Sequence, residues 1–570
     1  MTLLSRLLPE WARPYPRRHL GADLTAGLIV TLLVLPQSLG YALLAGLPPQ
    51  AGLYISTFPA IAYALLGSSR VQAVGPVAIT AIMTFAVLSP LAAPGSPEYV
   101  TLAALLALLS GLVLLACGLL RLGFLAQLLS RPVISGFISG SAVLIVFSQL
   151  KYLLGIVPAG NDPASVLAAL LAPWPAQAAT TAGLGAAALV FLAAARHGLG
   201  LLLRRLGMPA GAAAFVVRLM PLAAVAGGTL AVIGLDLERR GVAVVGPIVE
   251  GIPGFHFFVP EPDAVGRLLV PALLIALIGM VQNISMAQAL AIRRRERIDA
   301  NAELVGLGAA NVVAAFYGGM PAGGGVSRSA VNVAAGAETP LAGIVSALAM
   351  LALLAGAAHG FERLPLAVLA ASIIVAALSM IDLRSLRQAW QYDRADALAL
   401  AGTAGGVIAF GLEAGIGLGI VLSLGALLFR ASTPHIAVIG RIPHSEHFRN
   451  VERHAVETLP GVLLLRIDES LFFGNLTAVE ARLAQELART PDATDVVLIM
   501  SAVNRVDTTA MEVLVDINRD LAGRGIRLHL AEVKGPVHDR LSRSPLWPAL
   551  SGRVFLSVNG AFEALGGGRQ

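Results

Sequence analysis

The sequence predicts a polytopic α-helical membrane protein that ends in a soluble α/β domain. Hydrophobic residues make up 56% of the 570 residues and charged residues only 13%, and the mean hydropathy is +0.79. Soluble globular proteins carry about 25% charged residues, so a chain with this much apolar surface needs lipid as part of its solvent. The 60 glycines suit packed transmembrane helices, in which small residues let backbones approach one another.

The distribution of charge divides the chain into two parts. Residues 1–433 hold 25 Lys and Arg against 18 Asp and Glu, whereas residues 434–570 hold 15 against 16. We therefore predict a cytoplasmic N-terminal segment over 1–22, a transmembrane domain over 23–433 and a cytoplasmic soluble domain over 434–570. The basic surplus of the first part is typical of positive-inside topology rather than of nucleic-acid binding.

Fourteen apolar segments of helical character run through the first part of the chain. They lie at about 23–44, 52–67, 76–90, 99–120, 132–152, 179–195, 217–235, 268–291, 302–317, 327–337, 341–357, 364–381, 396–411 and 415–430. With the N-terminus inside, the N-terminal segment and the even-numbered loops carry 18 basic residues and the odd-numbered loops carry 5. This asymmetry predicts that both termini lie in the cytoplasm.

The third and tenth segments begin with sequence that is not typical of a helix. Residues 71–90 place Gly75 and Pro76 ahead of about fifteen helical residues, and residues 318–337 are glycine-rich until a helix begins near Ser327. Each could be a kinked helix or a half-helix that starts within the membrane. Because the two breaks fall at equivalent places among fourteen segments, we predict half-helices within an inverted repeat of seven plus seven.

The predicted half-helices would point their N-termini at the centre of the bilayer. Gly75 and Pro76 stand at one N-terminus, and Gly325 and Val326 stand at the other. Unpaired N–H groups and the helix dipole attract anions at such positions. Arg328, just inside the second half-helix, adds a full positive charge. The sequence therefore predicts an anion site.

Polar side chains in the middle of other segments complete the candidate site. Gln37 and Tyr41 lie one helical turn apart in the first segment, and Gln282 lies in the eighth. Each has a structural alternative: the two glutamines could join helices and Tyr41 could pack in the core. Ser327 could act as a helix N-cap, and Arg328 could snorkel towards the membrane surface.

The soluble part alternates short apolar runs with amphipathic segments, which predicts a small α/β sheet domain. The runs lie at 462–467, 495–500 and 527–533, and the amphipathic segments at 476–488 and 508–525. Thr477 with Glu480 fits a capping box, and Gly523 and Gly525 fit a helix stop. The sequence has no Walker loop, no metal-spaced His and Cys cluster and no nucleophile elbow, so we predict neither an enzyme nor a cofactor or metal site.

Long stretches of the chain resemble the sulfate permease family of anion transporters. Residues 23–80, the DANAEL stretch at 299–304 and GGMPAGGGVSRSAVN at 318–332 carry the resemblance. It implies fourteen helices in a seven-plus-seven inverted repeat with core and gate domains, and a homodimer that works by elevator-like alternating access. It also implies that the soluble part is a STAS domain.

The resemblance assigns roles to individual residues. In this family, certain side chains face the anion pocket, and a Ser–Arg pair lies on the tenth helix. The residues of this chain that match those positions are Gln37, Tyr41, Val77 with its neighbour Ala78, Ser327 and Arg328. Many sulfate and proton-coupled members have an acidic residue where Gln282 stands. A neutral amide cannot take up a proton, so we expect weak or absent cation coupling, with exchange or uniport instead.

A turn in the soluble domain resembles a regulatory site. Asp507-Thr508-Thr509-Ala510 matches the Asp-Ser-Ser-Gly turn that is phosphorylated in related anti-sigma antagonists. Thr508 and Thr509 are therefore either a regulatory phosphosite or part of an ordinary helix cap.

The expected function is secondary transport of a small anion across the bacterial plasma membrane. Sulfate is the default substrate, with bicarbonate, chloride or a dicarboxylate as alternatives; the expected partners are lipid, a second copy of the chain and a protein that binds the STAS domain. Two other functions stay open: a nucleobase–proton symporter of the same fold, and a membrane-tethered STAS scaffold that no longer transports.

Overall fold

The computed structural model describes residues 11, 15–127, 130–158, 163–175, 177–356 and 358–567, without the side chains of 127, 163, 215, 293, 326, 327 and 358. The predicted N-terminal segment 1–22 therefore lies in large part outside the described residues. Contacts divide the chain into two compact units, Met1–Ser423 and Leu424–Gln570.

The first unit is helical apart from two short strands. Its helices are α1 Leu20–Leu44, α2 Pro49–Ile55, α3 Phe58–Leu66, α4 Ala78–Leu88, α5 Pro97–Leu119, α6 Arg131–Leu154, α7 Pro163–Leu171, α8 Ala178–Ala194, α9 Gly200–Arg205, α10 Ala210–Gly234, α11 Pro262–Arg294, α12 Ala300–Phe316, α13 Val326–Ala334, α14 Leu341–Gly356, α15 Leu366–Leu378, α16 Leu383–Tyr392, α17 Arg394–Phe410 and, crossing into the second unit, α18 Leu412–Ser432. The strands are β1 Val74–Gly75 and β2 Gly323–Gly324.

Every predicted apolar segment coincides with a helix or a pair of helices. Among the described residues, eight helical stretches are long and apolar enough to cross a membrane, and α4, α12 and α14 are shorter apolar helices. The number of spans and the inverted repeat stay predictions. Three helices, α7, α9 and α16, fall where the sequence predicts loops.

Both predicted breaks are present as extended backbone followed by a short helix. β1 precedes α4 and β2 precedes α13, and the two strands pair antiparallel with Val74 opposite Gly324 and Gly75 opposite Gly323. This pairing satisfies peptide groups that lipid would leave without partners, which is the condition for non-helical backbone at membrane depth. It also brings the starts of α4 and α13 to one place.

Glycines let the helices of this unit approach closely. A Cβ added at Gly111 of α5 would lie 2.9 Å from the Gly308 carbonyl oxygen of α12, closer than real Cβ contacts allow. A Cβ added at Gly52 of α2 would collide with the Ser38 carbonyl of α1. Small residues at these crossings bring the polar groups of neighbouring helices within hydrogen-bonding distance.

The second unit contains a six-stranded sheet with helices on both faces. Its strands are β3 Ile436–Arg441, β4 Phe448–Asn450, β5 Val462–Ile467, β6 Asp495–Ile499, β7 Arg527–Ala531 and β8 Val554–Phe555, and its helices are α19 Leu476–Arg489, α20 Thr508–Gly523, α21 Gly535–Leu541, α22 Leu546–Ala549 and α23 Val558–Gly566. The strand order is β4-β3-β5-β6-β7-β8, with β5 to β8 parallel and β3 antiparallel to both of its neighbours.

Alternation along β5 explains how one strand supports two cores. Leu463 and Leu465 pack in the core that includes residues of α19 and α20, whereas Val462 and Leu464 pack in the opposite core with Phe562 of α23. Successive side chains of a strand point to opposite faces, so an uninterrupted apolar run is buried on both sides.

One predicted helix cap is wrong and another is refined. The capping box of Thr477 and Glu480 does not form: α19 starts at Leu476, so the residue before it, Asn475, holds the cap position. α20 is capped by Asp507, whose carboxylate accepts a hydrogen bond from the Ala510 amide at 2.8 Å. The predicted helix stop is confirmed, because α20 ends at Gly523.

Candidate functional site

The two half-helices start beside each other with open first turns. Val77 and Gly325 are the N-cap residues of α4 and α13, both with extended backbone, and no described side chain caps either helix. The amide of Gly325 donates to the Ala73 carbonyl at 3.1 Å, which adds to the β1–β2 pairing. Backbone N–H groups of both first turns are thus available to a ligand.

Arg328 brings a buried positive charge to this junction. Its side chain is 6% exposed, and its guanidinium donates to the Val74 carbonyl at 3.2 Å and to the Ser38 and Ser56 hydroxyls at 3.3 and 3.4 Å. All three acceptors are neutral. Among the described residues no carboxylate pairs with Arg328, and two of its five N–H donors have no acceptor.

Gly75 is the position that lets the guanidinium lie against β1. A Cβ added there would overlap both Nη1 and the central carbon of Arg328. The φ of Gly75 is not in the left-handed region, so glycine is required here for space rather than for backbone conformation.

Other predicted residues surround the same junction. Gln282 of α11 donates through Nε2 to the Gly324 carbonyl at 3.3 Å, and its buried Oε1 accepts no hydrogen bond from a described residue. The buried side chain of Val77 packs towards Gly323. The Tyr41 phenol is close enough to Arg328 to interact electrostatically.

For the remaining predicted site residues, the structure gives a position in the chain's helices but few side-chain contacts. Gln37 is half-buried on α1, one turn before Tyr41, and its amide makes no hydrogen bond to a described residue. Ala78 is the first residue of α4, so Pro76 precedes the helix instead of opening it. The side chains of Val326 and Ser327 lie outside the described residues, and Gly325, not Ser327, is the N-cap of α13.

A cleft opens next to Gln282. About 350 Å³ of space there is not occupied by atoms, and part of this space is open to the outside of the protein. Apart from Gln282 its lining is apolar, with Ile79 of α4, Val133, Ile134, Phe137 and Ile138 of α6, Ile278 and Val281 of α11, and Ile416 of α18. An apolar wall beside a few polar groups is the usual composition of a small-molecule pocket.

Sequence reasoning missed the two serines that hold Arg328. Ser38 and Ser56 are buried, and their hydroxyl oxygens lie 3.0 Å apart. Ser56 follows α2 at a break in what the sequence predicted as one helix. Ser38 could have been noticed because it is next to Gln37 in the sequence, but no sequence pattern indicates that Ser38 lies close to Ser56.

Sequence reasoning also gave no role to Glu303 of α12, which is fully buried. Its carboxylate accepts hydrogen bonds from the Tyr63 hydroxyl at 2.6 Å, from the Ser69 amide at 2.7 Å and from Nδ2 of Asn283 at 2.9 Å. Asn283 in turn accepts a hydrogen bond from Gln72. Polar groups of the protein therefore already satisfy this negative charge, and it forms no described ion pair with Arg328.

Both units match known protein families. The model of the sulfate permease family matches residues 20–403, and that of the STAS domain matches residues 453–561. The chain belongs to the sulfate permease family.

Relatives of this sulfate permease family member match nearly its whole length. Sulfate transporter 4.1 of Arabidopsis thaliana is 32% identical over 94% of this chain and 78% of its own length. A protein of Mycobacterium tuberculosis named a probable sulfate transporter is 32% identical over 97% of this chain and 96% of its own length. The family consists of transporters and not of enzymes, which agrees with the sequence prediction.

Solved structures have the same fold. Murine Slc26a9, an anion transporter in an inward-facing state, has a TM-score of 0.85 at 21% identity, covering 99% of this chain and 94% of its own. The transmembrane domain of the cyanobacterial bicarbonate transporter BicA has a TM-score of 0.58 at 24% identity, covering 72% of this chain and 98% of its own. The family member described here is a membrane-embedded, multi-pass protein with a STAS domain.

The candidate phosphosite lies at the start of α20 in the STAS domain. Thr508 and Thr509 are exposed, and Asp507 rather than either threonine caps the helix. The two hydroxyls are therefore accessible, while the cap itself does not depend on them.

Proposed function

We propose that this protein is a secondary transporter of small anions, with sulfate as the first candidate substrate. The buried Arg328 guanidinium, held only by neutral acceptors between two helix N-termini, is the observation that carries the proposal. A buried charge without a counter-charge costs several kcal/mol. An anion bound there would supply the missing charge.

The choice of an oxyanion rests on hydrogen-bonding chemistry. Planar guanidinium groups bind tetrahedral or planar oxyanions through paired N–H groups, and the first-turn amides of α4 and α13 add further donors. The names of the plant and mycobacterial relatives favour sulfate, and the likeness to an anion transporter and a bicarbonate transporter keeps bicarbonate and chloride as alternatives. Dicarboxylates remain a further candidate.

The proposed site consists of Arg328 with the starts of the two half-helices, lined by other polar and small side chains. The proposed lining residues are Gln37, Tyr41, Val77, Ala78, Gln282 and Ser327. We propose that transport proceeds by elevator-type alternating access, with exchange or uniport rather than cation coupling. Gln282 cannot titrate, because its side chain is a neutral amide.

The proposed assembly is a homodimer in the bacterial plasma membrane with both termini in the cytoplasm. Loop charge supports this orientation, and the soluble sheet domain at the carboxyl end would then face the cytoplasm, where a regulatory protein can reach Thr508 and Thr509. A nucleobase symporter is less well supported, because the junction presents a guanidinium rather than carboxylates to its ligand.

Uptake of radiolabelled sulfate into proteoliposomes tests the function. We expect saturable uptake by the full chain and at least a tenfold loss in Arg328→Gln, since hydrogen bonds to a charged group contribute about 1.5–3 kcal/mol. Arg430→Gln, an exposed position near the end of α18, is the matched control and should leave uptake unchanged. Bicarbonate, chloride, a dicarboxylate and uracil serve as competitors, and the absence of flux for every anion would refute the proposal.

A further inference from the structure

Arg218 is a charged residue inside a membrane helix. It lies eight residues after the start of α10 at Ala210, which is about 12 Å along the helix axis. Arg218 is also the second residue of the apolar span predicted over 217–235, so it lies near the cytoplasmic end of that span. Long basic side chains at such positions reach towards the membrane surface or towards protein and water-filled cavities.

The contact of Arg218 shows which way its side chain points. Its Nη1 donates to the Ala330 carbonyl of α13 at 3.5 Å, and Ala330 is two residues after Arg328. The side chain is nevertheless exposed, and no described carboxylate forms an ion pair with it. The exposed Arg218 side chain thus turns towards the second half-helix and brings a positive charge close to the segment that carries Arg328.

The depth of Ala330 indicates the side of the membrane to which that passage leads. α13 starts at the half-helix junction and runs four residues to Ala330 before it ends at Ala334. Under the predicted topology this half-helix runs from the bilayer centre to the cytoplasm. Arg218 therefore borders the route between the cytoplasm and Arg328.

The surrounding sequence has one sign of charge. Residues 163–235 contain four arginines, Arg196, Arg204, Arg205 and Arg218, and no Asp or Glu. Arg196 lies two residues after the end of α8, and Arg204 and Arg205 lie in α9, where the predicted topology places the cytoplasmic surface. Charges of one sign along a recess raise the local concentration of oppositely charged ligands.

We propose that Arg218 lines the cytoplasmic access path of the anion site and supplies it with a second positive charge. Anions that enter or leave on the cytoplasmic side pass Arg218 before they reach Arg328. This inference rests on the proposed anion transport and adds to it a residue that governs access from one side.

Cysteine substitution tests both the accessibility of the position and the effect of its charge. Cys117 is the only native cysteine, so Arg218→Cys can be made in a Cys117→Ser background. Membrane-impermeant methanethiosulfonates of either charge are added to inside-out and right-side-out membrane vesicles. Leu230→Cys, an apolar position of the same helix with 71% exposure, is the matched control.

We expect Arg218→Cys to react in inside-out vesicles only, and sulfate to slow the reaction. Leu230→Cys should not react from either side. Protein modified at position 218 with the cationic reagent should transport sulfate faster than protein modified with the anionic reagent, by on the order of threefold to tenfold. Reaction at 218 from neither side, or equal sulfate flux for the two adducts, would overturn the proposal.

Further variants of Arg218, and the Cys117→Ser protein alone, distinguish failure of this proposal from failure of the proposed anion transport. Arg218→Lys keeps the charge and should retain sulfate flux, whereas Arg218→Gln should raise the KM measured from the cytoplasmic side by on the order of threefold to tenfold. An unchanged KM in Arg218→Gln would overturn the proposal even if the cysteine variant fails to fold. Absence of flux in the Cys117→Ser background, with Arg218 intact, would instead count against anion transport.

Discussion

At the scale of single residues, Arg328 dominates the electrostatics of the membrane unit. Ser38, Ser56 and the Val74 carbonyl orient its guanidinium without neutralising it. Removal of a charged group from water is expensive unless another charge or several hydrogen bonds compensate it. The neutral acceptors offset part of this cost, and a bound anion would offset more.

Gly75→Ala tests whether the position of the guanidinium matters as well as its charge. The new methyl group would overlap Arg328, so the guanidinium must move and the hydrogen bond to Val74 must break. We expect a loss of sulfate uptake comparable to that of Arg328→Gln, with normal amounts of folded protein in the membrane.

Gly279→Ala is the control for that substitution. Gly279 lies in α11, and a Cβ there would meet only the Leu307 side chain at an ordinary 3.6 Å. If both alanine variants transport equally well, the close approach of Gly75 and Arg328 has no role in transport.

The sequence predicted the charged residue of the site better than the groups that hold it. Arg328 stands out because arginine is rare inside an apolar segment. Ser38 and Ser56 are ordinary residues of two different helices, and only the close α1–α2 crossing at Gly52 brings them together. Glu303 belongs to the DANAEL stretch that carries the family resemblance, but its contacts could not be predicted, since its partners Tyr63, Ser68 and Asn283 lie far from it in the sequence or on another helix.

At the scale of elements, strands β6 and β7 of the STAS domain join two buried titratable side chains. Asp495 and His529 are 1% and 2% exposed, and Nε2 of His529 lies 2.9 Å from the Asp495 carboxylate. Nδ1 of His529 accepts a hydrogen bond from the Arg553 amide at 3.0 Å. The imidazole is therefore neutral, with its proton on Nε2.

Acid should destabilise the STAS domain through His529. Burial is the main cause that lowers the pKa of His529 below its ordinary 6.5, although the neighbouring Asp495 opposes this. The unfolded chain then takes up a proton that the folded chain refuses, so stability falls as the pH drops below about 6.5, by at most about 1.4 kcal/mol per pH unit.

Thermal unfolding of the detergent-solubilised full chain at pH 7.5 and 5.5 measures this effect. His529→Gln should reduce the difference in the Tm of the STAS transition between the two pH values. Burial raises the pKa of Asp495, but hydrogen bonds with Arg527 and His529 outweigh it and bring the pKa below its ordinary value. The stability that results is lost only near pH 4 and below. An equal pH dependence in His529→Gln would contradict the assignment.

Helices and strands were predicted correctly where an apolar pattern was continuous. Prediction failed where a helix is polar and short, or where the exact start of a helix depends on its surroundings in the fold. The run at 462–467 coincides with β5, because a strand buried on both faces must be apolar throughout. α16 was missed because its sequence, LRSLRQAWQY, is too polar and too short for a span. The capping box at Thr477 failed because the N-cap of α19 is Asn475, two residues earlier.

At the scale of the whole molecule, the uncharged side chain of Gln282 predicts that transport is not driven by a proton or sodium gradient. Coupling to protons needs a group that changes charge near the substrate, and an amide does not. We therefore expect imposed proton or sodium gradients to leave the initial rate of sulfate uptake unchanged. Gln282→Glu should introduce a proton dependence, and strong acceleration of the wild type by either gradient would contradict uncoupled transport.

Equilibrium binding of sulfate to the purified full chain tests the central claim most directly. The wild type should bind sulfate saturably, and Arg328→Gln should bind it at least tenfold more weakly, as expected for the loss of about 1.5–3 kcal/mol from charged hydrogen bonds. Equal affinities in the two proteins would show that the anion does not meet the guanidinium between the half-helices.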